Sequence, residues 1–240
     1  MAIIKTKEEI EKLRNAALLG DRCFEYICSI VKPGMTEIDI AKKIDEFFMK
    51  NGATGVSFDT IVGAGVNSAQ IHSTPTENII KEQDIILFDF GCVLDGYCSD
   101  MSRTIFVGEI TEKQKQIYNL VLNAHANATA KITIDDIAKN ADAYGRKNIQ
   151  DAGFDYAHAL GHGVGVEVHE APLISYRSED ILKENMVFTI EPGIYLENEF
   201  GVRIEDTGVL TPNGMELFSN SNRDIIILWF ARLLFLEWRR

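Results

Sequence analysis

The sequence predicts an α+β fold made of two related halves, and three observations predict it. Long amphipathic helical stretches are followed by strand-like apolar runs, and the order helix, helix, strands occurs twice. A set of residues in the first half reappears, in order, in the second. No Gly/Ser-rich linker or low-complexity run divides the halves, so residues 1–228 are expected to form one domain with pseudo-twofold symmetry.

The repeat is carried by residues that bear chemistry. Lys81-Glu82, Asp89 and Gly91 match Lys183-Glu184, Glu191 and Gly193 at a shift of 102. Gly96 and Asp100 match Gly201 and Glu205 at a shift of 105, and His72 and Pro75 match His169 and Pro172 at 97. The helix-start pattern Thr36-x-x-Asp39 matches Thr133-x-x-Asp136 at the same 97. Such ordered self-similarity marks an internal duplication with two small insertions in the second copy. The halves span about 6–108 and 111–211.

In chain order, Thr6 and Glu9 form a capping box that opens a helix over 6–31, with Ile10, Leu13, Ala17, Phe24, Ile27 and Val31 on one face. Pro33-Gly34 stops it, and Thr36 starts a second helix ending near Asn51-Gly52. Residues 58–64 read as a strand, followed by a polar loop around His72. Thr111 and Gln114 cap a helix to about Lys131, and Thr133 to Ala152 reads as another, broken by Gly153. A loop-and-strand run containing GHGVGVEVHEAP follows, then a strand over 186–190 and the run GVRIEDTGVL. From Asp224 the chain is very apolar, and residues 229–240 form an atypical tail that fits a strand-then-helix packing piece or an aberrant end. It is too short and too charged to span a bilayer.

Composition narrows the function. With 240 residues and 46% apolar content, the chain can bury a full core. A net charge of −12 argues against nucleic acid and anionic membranes as partners. The four cysteines lack CxxC spacing and no signal peptide precedes them, so packing roles in a reduced cytoplasm are expected.

The stretch 86–104 holds the first chemical signal. Asp89 interrupts a buried-strand pattern, and Asp100 ends a second short strand after the Asp95-Gly96 turn signal. Two adjacent antiparallel strands would aim both acids at one point, where a divalent cation explains them best. Taken alone, a hairpin with two solvated acids is the bland alternative. The duplication adds Glu191 and Glu205 to the set, with Asp100 and Glu205 as natural bridges between two ions. His162, between two glycines, adds an imidazole with room to approach. Four carboxylates and one histidine suit two divalent ions.

The runs GYCSDMSRT, GHGVGVEVHEAP, FTIEPGIY and GVRIED resemble the catalytic domain of the pita-bread metallopeptidases, Xaa-Pro aminopeptidase and prolidase branch, over roughly residues 5–228. The resemblance implies a dinuclear centre on Asp89, Asp100, His162, Glu191 and Glu205, with manganese expected and cobalt, iron or zinc acceptable. It implies His72, His158, His169, Tyr195 and Arg203 as substrate-facing residues, with His72, His169 and Glu191 catalytic. Hydrolysis of an N-terminal Xaa-Pro bond by a hydroxide held between the two ions follows. Arg203 is expected to fix the bridging carboxylate and the substrate terminus, its alternative being an ion pair with Asp206 or another neighbour. The implied partner is a peptide with proline second, and a homodimer is compatible. The chain begins at the catalytic domain, without the N-terminal domain usual in this branch, so weak activity and tolerance of longer peptides are expected. A methionine aminopeptidase and a non-catalytic peptide-binding protein on the same fold are the competing readings.

Overall fold

The structure, a computed structural model, describes residues 4–229. Thr6 and Glu9 cap α1 (Lys7–Ile30) reciprocally, and its predicted apolar face is buried throughout. Thr36 and Asp39 cap α2 (Glu37–Lys50) in the same way. Strands β1 (Gly55–Val56) and β2 (Ile61–Ala64) follow, then a 3₁₀ turn at Gly65–Ala69. The acid-bearing stretch forms β3 (Ile85–Phe90), β4 (Cys92–Leu94), β5 (Tyr97–Cys98) and β6 (Met101–Val107). The second half contains α3 (Glu112–Lys131), α4 (Ala138–Asp151), β7 (Gly161–Gly163), β8 (Glu170–Ile174) and β9 (Val187–Ile190). It continues with β10 (Gly193–Leu196), β11 (Phe200–Arg203), β12 (Asp206–Thr211) and β13 (Gly214–Leu217), and the described chain ends near β14 (Ile227–Leu228).

The fourth helix departs from expectation. It begins at Ala138, five residues after Thr133, and its N-cap Ile137 makes no side-chain cap bond. Asp136 instead accepts from the backbone and hydroxyl of Thr133, closing a turn in which Asp135 has φ +70°. Both α2 and α4 have 14 residues and start at 37 and 138, so the helices correspond at a shift of 101. The Thr-x-x-Asp match at 97 was therefore a coincidence of capping residues. The strand predicted over 58–64 also begins later, at Ile61.

Each half lays two helices against its own principal sheet. The first orders its strands β14-β6-β3-β2, the second β13-β12-β9-β7-β8. Pairing is antiparallel except between β14 and β6. Ile27, Ile40, Phe48, Phe88 and Ile105 centre the first core, and Ile117, Val121, Leu160, Phe188 and Ile204 the second. Fully burying an apolar side chain of this size contributes about 1.5–3 kcal/mol. Among the described residues no helix is long and apolar enough to cross a membrane. Cys23, Cys92 and Cys98 are buried and Cys28 half-buried, all as free thiols. Burial pushes the Cys92 thiol up to about 11, as befits packing roles. Just before the atypical tail, β14 lies beside β6; of the tail itself only Trp229 is described, and the expectation for residues 230–240 lies outside the described residues.

Two long hairpins set the geometry of the centre. In the first, Asp89 lies opposite Ser102 and Val93 opposite Cys98, so one register runs through β3–β6 with its tight turn at Asp95-Gly96. That register sets Asp100 across from Gly91, where an added Cβ would collide with the Ser99 carbonyl. Residues two apart on a strand share a face, so Asp89, Asp100 and Ser102 point the same way. In the second, Asp206 pairs with Ile190 and Gly193 with Arg203, which places Glu191 directly across from Glu205. Thr189, Glu191, Arg203 and Glu205 thus share that hairpin's inner face.

Candidate active site

The two inner faces meet at the floor of a cavity of about 990 Å³. Asp89, Asp100, His162, Glu191 and Glu205 all border it. Ligand atoms of Asp100, His162 and Glu205 lie within 4.8 Å of one another. The His162 Nε2 is 3.4 Å from both Asp100 Oδ2 and Glu191 Oε1, while its Nδ1 is 3.1 Å from the Gly163 carbonyl. With the proton on Nδ1, the Nε2 lone pair faces two carboxylates, which is the arrangement of a metal ligand. Thr189 braces this corner by donating to Glu191 at 3.1 Å and accepting from the His162 amide.

His72, His158 and His169 also line the cavity, among the apolar side chains of Phe58, Ile61, Ile71 and Leu173. His72 and His169 are exposed on its wall, and the rings of His169 and His162 are 4.2 Å apart. Arg203 borders the cavity as well, whereas Tyr195 is not among its lining residues. Arg203 is 2% exposed and donates to the Ser102 hydroxyl, the Tyr195 hydroxyl, the Ile71 carbonyl and Asp89. Only one of its five N–H groups is left for a substrate. It reaches Glu205 only through Ser102, which donates to Glu205 Oε2 at 2.6 Å. Its ion pair is with Asp89 rather than Asp206, whose partners are Arg103, His125 and Arg223. Tyr195 stands off the cavity wall, its hydroxyl between Arg203 at 2.7 Å and His158 Nε2 at 3.0 Å. His158 donates from Nδ1 to the Ala159 carbonyl, so its Nε2 accepts from Tyr195.

Ser102 and Thr189 were not singled out from sequence, yet each stands two residues from a carboxylate on the same strand face. That spacing was the available signal.

The electrostatics fit a cation. Burial, with neighbouring acids adding to it, raises Asp100 and Glu205 well above the carboxylate range. Burial likewise raises Glu191 to about 8 and lowers His162 to about 4. The buried Oδ1 of Asp89 has no hydrogen-bond partner. Oxygen-rich, mutually repelling ligands with an orphaned carboxylate oxygen are what divalent ions would satisfy.

A two-halved α+β fold with acids and one imidazole converging on a single floor defines the pita-bread metallopeptidase class. The sequence pattern of Metallopeptidase family M24 matches residues 11–212, and the chain belongs to that family. It is 40% identical to the Xaa-Pro dipeptidase of Pyrococcus furiosus, covering 94% of this chain and 66% of the relative. It superposes on an Xaa-Pro dipeptidase from Bacillus anthracis with TM-score 0.93 and 42% identity, covering 95% of this chain and 64% of the other. The X-Pro aminopeptidase of Thermotoga maritima gives 0.92 and 38%, over 95% and 65%. The chain spans about 65% of the length of the curated relatives it matches. The family is one of metallopeptidases, and the Asp100–His162–Glu205 cluster has ligand atoms close enough together to hold a metal ion.

Proposed function

We propose that this chain carries the catalytic centre of a metal-dependent peptidase that cuts the N-terminal bond of peptides with proline second. The observation that carries the reading is the convergence of Asp89, Asp100, His162, Glu191 and Glu205 beneath an apolar-walled cavity. These five would hold two divalent ions, manganese first among the candidates. Bound there, the metal supplies Lewis acidity and a water of lowered pKa. Glu191 takes a proton from the attacking water and returns it to the proline nitrogen as the bond breaks. His72 and His169, exposed on the wall, hydrogen-bond the scissile carbonyl as negative charge develops on its oxygen. Arg203 and Ser102 hold Asp89 and Glu205 in place rather than gripping substrate.

A prolyl amide has no N–H to recognise, so selectivity rests on an apolar grip of the ring. Phe58, Ile61, Ile71 and Leu173 offer that surface. The names of the relatives, dipeptidase and aminopeptidase, support the reading and leave peptide length to experiment. The four free thiols suit a reducing cytoplasm. A homodimer is part of the same reading and is checked by light scattering.

The test is a manganese-supplemented assay of Xaa-Pro dipeptides, longer Xaa-Pro peptides and Met-Ala peptides, run beside metal analysis. We expect about two ions per chain and cleavage only before proline. Asp100→Ala should disturb both ions, and Asp89→Ala or His162→Ala one more than the other. Met-Ala cleavage would favour a methionine aminopeptidase, and absence of bound metal would end the catalytic reading.

A further inference from the structure

The loop between β2 and β3 carries His72 to the cavity wall, yet most of its residues are polar and few are buried. One carboxylate joins its two ends. Glu37, the first residue of α2, is completely buried. Its Oε1 accepts from the Ala64 amide at 2.8 Å, Asn67 at 2.9 Å and Asn78 at 3.0 Å. Its Oε2 accepts from the Thr76 amide at 2.9 Å and the Thr76 hydroxyl at 2.7 Å. These donors come from both ends of the loop, so a single side chain clamps its two stems. The middle is tied to the other half, where the Gly201 amide donates to Ser68 and Arg203 to the Ile71 carbonyl.

The duplication supplies an internal control. At the start of α2, the amides of Glu37 and Ile38 donate to the carbonyls of Asn78 and Thr76. At the start of α4, the amides of Ala138 and Lys139 donate to those of Asp180 and Ser178. The backbone connection is the same in both halves, but the residue at the Glu37 position is Ala138, which has no carboxylate. The fold therefore forms this junction without an acid, and what Glu37 adds belongs to the loop of the first half. Burial alone would raise the Glu37 carboxyl, but Asn78, Thr76, Ala64 and Asn67 outweigh it, and the group is held below its ordinary value. The positive end of α2 favours the anion too.

We propose that Glu37 is a positioning residue for His72, a carboxylate that fixes the substrate-facing loop without touching substrate or metal. This rests on the reading of His72 as a substrate contact. Substrate positioning is sensitive to displacements of an ångström, so loosening both stems should reach the chemistry.

The experiment compares the full chain with its Glu37→Gln variant, in which an amide N–H₂ faces the donors of Thr76. Amide hydrogen exchange of residues 65–78 should quicken about ten- to hundredfold, with β3, β6 and the loop after β7 unchanged. Manganese content should stay as in the parent chain. On an Xaa-Pro peptide kcat should fall about tenfold or more, and His72→Ala should cost much less in the Glu37→Gln background than alone. Unchanged exchange in 65–78, or fully additive rate losses, would overturn the proposal. If Glu37→Gln does not fold, Thr76→Val and Asn78→Ala each remove donors from the clamp and should quicken exchange in the same segment. Faster exchange in a protein that cleaves no Xaa-Pro peptide would sink the peptidase reading while upholding the clamp.

Discussion

Asp100, Glu191 and Glu205 pay for their proximity in protonation. Burial raises all three, and neighbouring acids raise them further. A carboxyl whose folded pKa exceeds its unfolded value stabilises the fold while protonated, and that contribution is lost as pH rises through the folded value. For Glu191 the window runs from about 4.3, its unfolded value, to about 8. The metal-free fold should therefore lose stability relative to the loaded protein across that window. We expect the gap in Tm between manganese-loaded and chelated protein to widen steadily from about pH 5 to pH 8. A constant or narrowing gap in calorimetric scans would contradict the assignment of these acids to the metal. At this scale much was legible in the sequence. The five proposed ligands stand out because acids and a histidine break apolar or glycine-rich patterns. The engagement of Arg203 was not legible, because it depends on Ser102, Tyr195 and Asp89, which come from different strands.

At the scale of elements, capping residues announced three of the four α-helices among the described residues. Thr6, Thr36 and Thr111 each close a reciprocal box. Thr133 carries the same signal and starts no helix, because Asp136 turns the chain back before α4 begins. A local pattern cannot distinguish a cap from a turn that uses the same bonds. The two threonines should separate by mutation. Thr36→Ala should cost about 1 kcal/mol in urea unfolding and Thr133→Ala clearly less. Equal losses would show that the turn before α4 stabilises the protein as much as a helix cap does. The β3–β6 hairpin was legible down to its Asp95-Gly96 turn, since φ is positive at both residues and the strands alternate cleanly around them.

At the scale of the whole molecule, the join between the halves combines an apolar cluster, in which Leu13 and Cys98 meet Val187 and Phe218, with a buried polar set around Arg103. Arg103, 1% exposed, donates to the Ser102 and Glu205 carbonyls and pairs with Asp206 at 2.7 Å. It therefore ties β6 of one half to the start of β12 in the other. Removing one member of a buried ion pair leaves the other unsatisfied, so Arg103→Met should lower unfolding free energy by about 3–5 kcal/mol. A loss below about 1 kcal/mol in urea titration would mean that His125 and Arg223 compensate for it. None of this was read from sequence, where Arg103 stands inside GYCSDMSRT without a visible partner. The duplication itself was visible, because it repeats side chains rather than contacts.

The division of the proposed ligands between the two hairpins has a thermodynamic consequence. Asp89 and Asp100 belong to the first half, and His162, Glu191 and Glu205 to the second. An ion gripped from both sides binds only when the halves are docked, so its binding free energy is also a free energy of docking. The metal would then act as a rivet through the molecular twofold, and chelation would loosen the seam before it melted either lobe.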